Sequence, residues 1–241
     1  MAASMAANRF LLSLGSTRRV RFLSAYHGQA GEPNPIRLHV EGMVGTLSRL
    51  LDYGDDLPTD HPMTSLRFST FPRTKRPPDF VREIVSVFQA HEPAIGTMAL
   101  TKGLTSGDVL ARLRNDLSAI GFEVELGKKS NEKIKRPVFF GDNAEPSLQY
   151  EIDAWHPIWR AGLEIEAGRA WMGNAVYRDL VQALVMVDLE HLVMAVPNAY
   201  RYKTDGRDVV SHDYANTVAV ADALFGHSRV QMPFSLCVIG Y

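Results

Sequence analysis

The chain has 241 residues, of which 46% are apolar and 22% are charged, and its formal net charge is −1. This composition excludes an intrinsically disordered chain, because enough apolar side chains are present to bury a substantial core. The near-neutral charge also gives no sign of a nucleic-acid partner, so any such surface must be a local basic patch. The length fits one large domain or two small ones.

Residues 1–100 are predicted to form a mixed α/β region. Strands are expected at 20–26 and 36–40, followed by a helix that Gly54 should end. A short strand over 65–71 then precedes a helix that Asp79 should cap. No linker marks a firm boundary, so this region is either a separate unit or integral to the domain formed by residues 101–241.

Residues 101–241 alternate between helical and extended patterns. Thr105 and Asp108 form a capping-box pattern at the start of a helix that Gly121 should end. A half-buried strand at 122–126 and an acidic hairpin at 149–167 follow, and the turn of the hairpin should include His156, Pro157 and Gly162. Asn174 should cap a helix that runs to Asp188 with Leu184 and Val187 facing inward. The remaining elements are a buried strand at 191–196, a polar loop at 198–212, a helix at 214–225 and a strand at 234–241. This order predicts an α/β fold with a central mixed sheet flanked by helices.

The acidic hairpin is the unusual feature of the chain. Because side chains alternate between the faces of a strand, Glu151 and Asp153 should share one face of the first strand, and Glu164 and Glu166 one face of the second. Residues two apart on a strand are ~6.6 Å apart, so the hairpin would gather three or four carboxylates within reach of one or two cations. Hard oxygen ligands suit Mg²⁺ or Mn²⁺, and the histidines show no paired spacing for zinc.

A half-exposed hairpin with a solvated acidic face is the competing interpretation, and it is the usual meaning of alternating Glu in a strand. Two details favour a site. No lysine or threonine stands opposite the acids, and a helix carrying Arg178 and Gln182 follows at once.

The spacing of the acids resembles a nuclease signature. Asp153, ten residues, and then Glu164-Ile165-Glu166 resemble the motif of the restriction-endonuclease-like PD-(D/E)XK superfamily, with Glu166 where most members carry lysine. Glu or Gln replaces that lysine in the branch of type II restriction endonucleases that includes BamHI and BglII. A turn and a helix opening with Arg-Asp-Leu follow the second catalytic strand in that branch, and this chain has Asn174 and then Arg178-Asp179-Leu180.

The resemblance covers residues 105–241 and implies a restriction-endonuclease-like core that hydrolyses DNA with Mg²⁺ or Mn²⁺. Asp153 and Glu164, with the carbonyl of Ile165, are the implied metal ligands. Glu166 would bind the attacking water or a second metal, and Glu151 would be a further or alternate ligand. The chain departs from the branch at residues 167–171, Ala-Gly-Arg-Ala-Trp, where a Trp-Asn-Asn-Lys type of sequence is expected. This departure bears on sequence-specific cleavage more than on the nuclease core.

Basic side chains near the hairpin are candidates for contacts to DNA phosphates. The candidates are Lys135 and Arg136, which belong to a basic run that also contains Lys128, Lys129 and Lys133, and Arg169, Arg201 and Lys203. Either Arg178 or Asp179 could organise the ligands or bind phosphate. The competing interpretation is that these residues belong to solvated loops, and that Arg178 forms a surface ion pair with Asp179. A homodimer is expected by analogy, since two subunits most simply cut both strands of a duplex.

Three other functions fit the same sequence. The first is a metal-independent glycosidase, although its acid and base lie on opposite sides of a sugar and not side by side on one strand. The second is a nuclease fold without catalysis that binds DNA or protein, and the third has no nucleic-acid role. The lone Cys237 excludes a disulfide framework, and no apolar run approaches the ~20 residues of a membrane helix. These features predict a cytoplasmic protein with no membrane partner.

Overall fold

The computed structural model describes residues 13–14, 18–19, 65–98, 103–168, 170–171 and 173–241. The chain divides into two units, Met1–Thr59 and Asp60–Tyr241. In the first unit, the described residues form an antiparallel pair of two-residue strands, β1 (Ser13–Leu14) and β2 (Arg18–Arg19). The strands and helix predicted between residues 20 and 54 lie outside the described residues.

The described part of the second unit contains four helices and ten strands. The helices are α1 (Phe80–Ile95), α2 (Ser106–Ala119), α3 (Ala175–Val185) and α4 (Asp213–Gly226). The strands are β3 (Arg67–Phe71), β4 (Glu123–Val124), β5 (Ile134–Phe140), β6 (Pro146–Ile152), β7 (Ala154–His156), β8 (Ala161–Ile165), β9 (His191–Val196), β10 (Tyr200–Thr204), β11 (Arg207–Ser211) and β12 (Ser235–Gly240).

Six of these strands form the central sheet, in the order β3-β12-β9-β8-β7-β4. Strand β9 runs parallel to β8 and β12, and the remaining neighbours are antiparallel. The sheet is therefore mixed, and helices cover both of its faces, which confirms the predicted α/β class. Strand β3 pairs with β12, and α1 packs against α2, so residues on both sides of position 100 share this sheet and its core.

Alternating side chains divide the core into two layers. Leu163 and Ile165 of β8 and Val193 of β9 pack with α1 and α2 on one face of the sheet. Leu192 and Met194 of β9 pack with α3 and α4 on the other. The period of two along each strand thus sets which helices a residue contacts.

Gly121 follows the end of α2 with a φ of 102°, as predicted, but of the N-terminal caps predicted within the described residues only the one at Thr105 forms. Thr105 accepts a hydrogen bond from the Asp108 N–H, and the Asp108 side chain accepts one from the Thr105 N–H, so the capping box is confirmed. Asp79 already has helical φ and ψ and makes no capping bond, because a cap residue must be extended for its side chain to reach the first turn. Asn174 has a φ of 58° and makes no capping bond either; its role is to adopt the left-handed conformation that Asn tolerates well.

The polar loop predicted at 198–212 is a β-hairpin, β10 paired with β11. Asp205 and Gly206 form its turn, and both have positive φ. An Asp-Gly pair is the residue pair that two-residue hairpin turns favour, because both central residues need that conformation. The prediction of a polar loop over residues 198–212 was wrong, because Asp205-Gly206 is a signal for a tight hairpin turn between two strands.

The first acidic strand is also broken where we predicted a continuous one. Strand β6 pairs with β5 in a separate two-stranded ribbon as far as Ile152, and β7 joins the central sheet from Ala154. Asp153 is the junction between the two sheets. Gly162, which we expected in the turn, lies within β8 opposite Trp155, where the side chain of Ile152 fills the space that a Cβ would need.

Side-chain directions differ from the prediction at three further positions. Helix α3 ends at Val185 and buries the stripe Val176, Leu180 and Ala183, so Leu184 and Val187, predicted to face inward, are exposed. Leu126 is 68% exposed because strand β4 ends at Val124.

Among the described residues, no helix combines the length and apolar character needed to cross a bilayer.

Candidate functional site

A cavity of about 310 Å³ lies where the ribbon β5–β6, the sheet and α3 meet. We call it the acid cleft. Its lining residues are Glu125, Lys133, Glu151, Ile152, Asp153, Glu164, Arg178, Asp179 and Gln182. Five of these nine residues are acids, so the cleft concentrates negative charge.

Asp153 and Glu164 face each other across the β7–β8 pair. The register pairs Ala154 with Leu163, so one step further along the two antiparallel strands places Asp153 opposite Glu164. The backbone ladder stops there because Asp153 Oδ2 accepts the N–H of Ile165, at 2.8 Å, in place of a carbonyl. The two acids predicted to share a site do line one cavity, on the face of the sheet that packs against α3.

Glu166 lies just beyond β8 and does not line the cavity itself. Its backbone is fixed on both sides, because its N–H donates to Ala195 O at 2.9 Å and its carbonyl accepts the Tyr241 hydroxyl at 2.7 Å. Its carboxylate accepts a hydrogen bond from Arg178 Nη2 at 2.9 Å. Glu166 therefore joins the cluster through Arg178 and is not free in the cleft.

Helix α3 contributes Asp179, which the sequence predicted either as the surface partner of Arg178 or as a residue that organises ligands. Asp179 is 2% exposed and accepts a hydrogen bond from Arg178 Nε at 2.9 Å. Protonated Glu166 hydrogen-bonds to Asp179, whereas with both acids ionised Asp179 Oδ2 is buried without a hydrogen-bond donor. Arg178 is 59% exposed and thus reaches in from the rim to bridge Asp179 and Glu166. A buried carboxylate oxygen without a donor is costly, and native structures contain few of them.

Burial raises the pKa of each acid in this cluster. The pKa of Asp153 rises to about 6, although the Ile165 N–H works in the opposite direction. Burial raises the pKa of Glu164 well above its ordinary value, and the charges of Asp153 and Asp179 raise it further. For Glu166, burial and then the charge of Asp179 raise the pKa to about 8.

Asp179 also has a raised pKa because of its burial, and the Arg178 guanidinium only partly counteracts this effect. If all four carboxyls were ionised, they would carry more negative charge than Arg178 could neutralise, and the raised pKa values reflect this imbalance. Strongly shifted acids in a cleft are typical of functional sites, because catalytic and ligand-binding groups need pKa values matched to their task.

The opposite wall of the acid cleft carries one cation. Lys133 Nζ donates to Glu125 Oε2 at 2.7 Å and lies 4.0 Å from Glu151 Oε2. The hydrogen bond to Glu125 raises the pKa of Lys133, so the lysine stays protonated at neutral pH. Glu151, predicted as a further ligand, is more than half exposed on the ribbon and lies at the rim.

The predicted DNA contacts are scattered around the second unit. Lys135 is exposed and donates to Ser130 Oγ, whereas Arg136 pairs with Asp188 at 2.9 Å and lies 4.0 Å over the Trp155 ring. Arg201 and Lys203 are exposed on β10. Arg169 lies outside the described residues. Arg136 is therefore committed to protein contacts, while the other three side chains face solvent.

From the sequence, Asp179 was expected only as one of two residues that could organise ligands, and Lys133 only as one member of a basic run; Glu125 was not predicted as a site residue. A signal existed for Asp179, which interrupts the apolar stripe of α3 three residues after Val176 and four before Ala183. An acid on the inward face of a helix needs a partner or a ligand. The place of Lys133, just before β5, and of Glu125, just after β4, had no comparable signal, because only the folded chain brings these two segments to the cleft.

The carboxylates of the acid cleft match in part the divalent cation that the nuclease resemblance implies. Carboxylate oxygens suit Mg²⁺ and Mn²⁺, and the unpartnered Asp179 Oδ2 and the surplus negative charge fit a cation in kind. Over the described ranges, however, no three His, Cys, Asp or Glu side chains are already arranged to hold a metal. Asp153 and Glu166 each use one oxygen in a protein hydrogen bond, so ligand exchange would accompany binding.

Comparisons with known proteins add no further assignment. No protein-family model matches the chain, and a search of curated proteins finds no match.

Proposed function

We propose that this protein is a metal-dependent endonuclease that hydrolyses phosphodiester bonds of DNA. One observation carries the proposal: Asp153, Glu164, Glu166 and Asp179, from three consecutive elements, cluster with raised pKa values and too little positive charge around them. A divalent cation would remove that imbalance, and a polyanionic substrate would need one to approach such a cleft.

Three of the four clustered acids have a proposed catalytic or metal-binding role. Asp153 and Glu164 would hold Mg²⁺ or Mn²⁺ together with the Ile165 carbonyl, the ligand set that the nuclease resemblance implies. A bound divalent cation supplies Lewis acidity to the phosphoryl oxygen and lowers the pKa of a coordinated water. Glu166, whose pKa of about 8 is close to neutral, would accept the proton of the attacking water.

The reaction is a simple hydrolysis. The water oxygen forms a bond to phosphorus while the ester P–O bond breaks, one proton leaves the water, and one proton joins the departing oxygen. Arg178 bridges Glu166 and Asp179 from an exposed position, so its guanidinium could exchange a carboxylate for a phosphate oxygen. Lys135, Arg201 and Lys203 would contact the DNA backbone further away.

A homodimer and a cytoplasmic location complete the proposal. Two copies would provide one cleft for each strand of a duplex, and sedimentation equilibrium on the pure protein would test this. The cytoplasmic assignment is supported by Cys237, a buried free thiol that fits a reducing compartment.

The decisive experiment is incubation of the pure protein with supercoiled plasmid in EDTA, Mg²⁺ or Mn²⁺. We expect nicked or linear product with the metals only, and none from Asp153→Asn, which keeps the acceptor for the Ile165 N–H but loses the charge. Cleavage in excess EDTA would instead favour a metal-independent hydrolase. DNA binding without cleavage under any metal would favour a non-catalytic binding module.

Metal binding has a readout that does not need activity. Mg²⁺ at about 100 times its Kd should stabilise the wild-type protein by about 2.7 kcal/mol, seen as a higher Tm. Asp153→Asn should lose most of this stabilisation. An equal rise in the Tm of both proteins would place the metal outside the acid cleft.

A further inference from the structure

Two basic side chains, Lys133 and Arg178, line the acid cleft, and they make different hydrogen bonds. Arg178 gives two hydrogen bonds to the acid cluster, one to Glu166 and one to Asp179. Lys133 touches neither of these acids, and among the described residues its hydrogen bond goes to Glu125. An ammonium group has three N–H donors, so Lys133 keeps two for a ligand in the cleft.

The position of Lys133 is fixed by the chain on both sides of it. The Glu125 N–H donates to the Asp153 carbonyl at 2.9 Å, and the Leu126 N–H donates to the Glu132 carbonyl at 3.0 Å. These two bonds tie the segment after β4 to Asp153 and to the residue just before Lys133. The lysine side chain is 19% exposed and that of Glu125 12%, so the pair is largely shielded from water.

A shielded cation beside the reacting group is what phosphodiester hydrolysis requires. Negative charge on the nonbridging oxygens must be stabilised in the transition state, and a preorganised cationic donor in a water-poor cleft does this better than an exposed one. Position 166, two residues beyond Glu164 on the acid strand, supplies a carboxylate and no cation. Lys133, which directly precedes β5, lines the same cavity as Asp153 and Glu164 and supplies a positive charge there.

We propose that Lys133 is a catalytic residue that donates a hydrogen bond to a nonbridging oxygen of the phosphodiester in the acid cleft, and that Glu125 is the positioning residue that aims it. This inference rests on the proposed nuclease function and adds a transition-state contact to it. Lys133 stays protonated throughout, so it acts as a donor and not as the base.

The test compares Lys133→Met with the wild type in single-turnover plasmid cleavage. We expect the maximal rate to fall about 100-fold or more, while the half-saturating DNA concentration changes only a few-fold. DNA binding in EDTA should lose about one unit of its salt slope at most, as for one phosphate contact. Lys133→Arg should recover part of the rate because it retains the charge. Lys75→Met, which removes an exposed lysine outside the cleft, should leave the rate unchanged.

A second variant separates catalysis from folding. Lys133→Met leaves Glu125 shielded without its partner, which could disturb the cleft by itself. The double variant Glu125→Gln with Lys133→Met removes that unpaired charge and should remain as slow as the single variant. Recovery of the wild-type rate in the double variant would overturn the inference while leaving the nuclease function intact. A wild-type protein that cleaves with no metal tested would overturn both.

Discussion

The two faces of strand β8 differ in what burial does to the free energy of folding. Leu163 and Ile165 point into the apolar layer against α1 and α2, where their removal from water stabilises the fold. Glu164 lies between them on the opposite face and is 9% exposed, although burying a carboxylate without sufficient positive charge is unfavourable. The same backbone thus carries a stabilising face and a destabilising face. A destabilising group that persists beside three others of its kind is better explained by function than by packing.

The largest effect is expected when the charge of Glu164 is removed without changing its shape. Glu164→Gln should reduce metal-dependent cleavage at least about 1000-fold and should raise the free energy of unfolding in EDTA, because a neutral amide replaces a buried acid. Plasmid cleavage and urea unfolding measure the two quantities. A variant that loses both activity and stability would show that Glu164 is a structural residue.

The matching change on the other face should have the opposite outcome. Leu163→Ala removes a fully buried side chain and should lower the free energy of unfolding by about 2 to 5 kcal/mol, while cleavage per folded molecule is retained. Leu126→Ala is the control, because Leu126 is largely exposed and should cost less than about 0.5 kcal/mol. If Leu163→Ala abolished cleavage in fully folded protein, the two faces would not be functionally distinct.

The pH dependence of stability tests the destabilising face directly. The pKa of Glu166 is about 8 in the folded protein against 4.5 ordinarily, so between these values the folded state holds a proton that the unfolded state has released. The stabilisation that this proton gives is complete below about pH 4.5 and is lost as the pH rises through about 8.

Glu166→Gln removes this titration. In EDTA, the variant should match the wild type near pH 4 and become more stable than it by on the order of 1 kcal/mol or more above pH 8. Urea unfolding at a series of pH values measures the difference. Glu145→Gln, which neutralises an exposed acid outside the cleft, should show no such growth. Parallel curves for wild type and Glu166→Gln would mean that Glu166 is not held in a charge-poor environment.

The division of β8 into two faces followed from the sequence alone. Strict alternation along residues 161–167 placed Glu164 opposite Leu163 and Ile165, and the capping box at Thr105 was equally local. Such features depend on neighbouring residues and on the period of two of a strand. The fold class followed from the order of these local elements.

Which residues line the acid cleft could not be predicted from local sequence patterns in the same way. Asp153 is a junction between two sheets, and no periodicity marks the point where a chain leaves one sheet for another. Lys133 directly precedes the ribbon, 31 residues before Glu164, and its distance from the acids depends on how the ribbon leaves the sheet. Tertiary placement of this kind is set by packing of whole elements, which a local pattern does not encode.

The smallest effects on stability and DNA binding are expected for substitutions on the ribbon, where one of two neighbouring side chains faces solvent and the other packs against the protein. Lys135 is exposed, so Lys135→Ala should change the free energy of unfolding by less than about 0.5 kcal/mol and should weaken DNA binding a few-fold with a lower salt slope. Arg136 pairs with Asp188 and covers Trp155, so Arg136→Ala should cost about 1 kcal/mol and alter DNA binding little. Urea unfolding and fluorescence anisotropy with a duplex separate the two. A reversed result, with Arg136 governing binding and Lys135 governing stability, would mean that the ribbon meets DNA through its sheet-facing side.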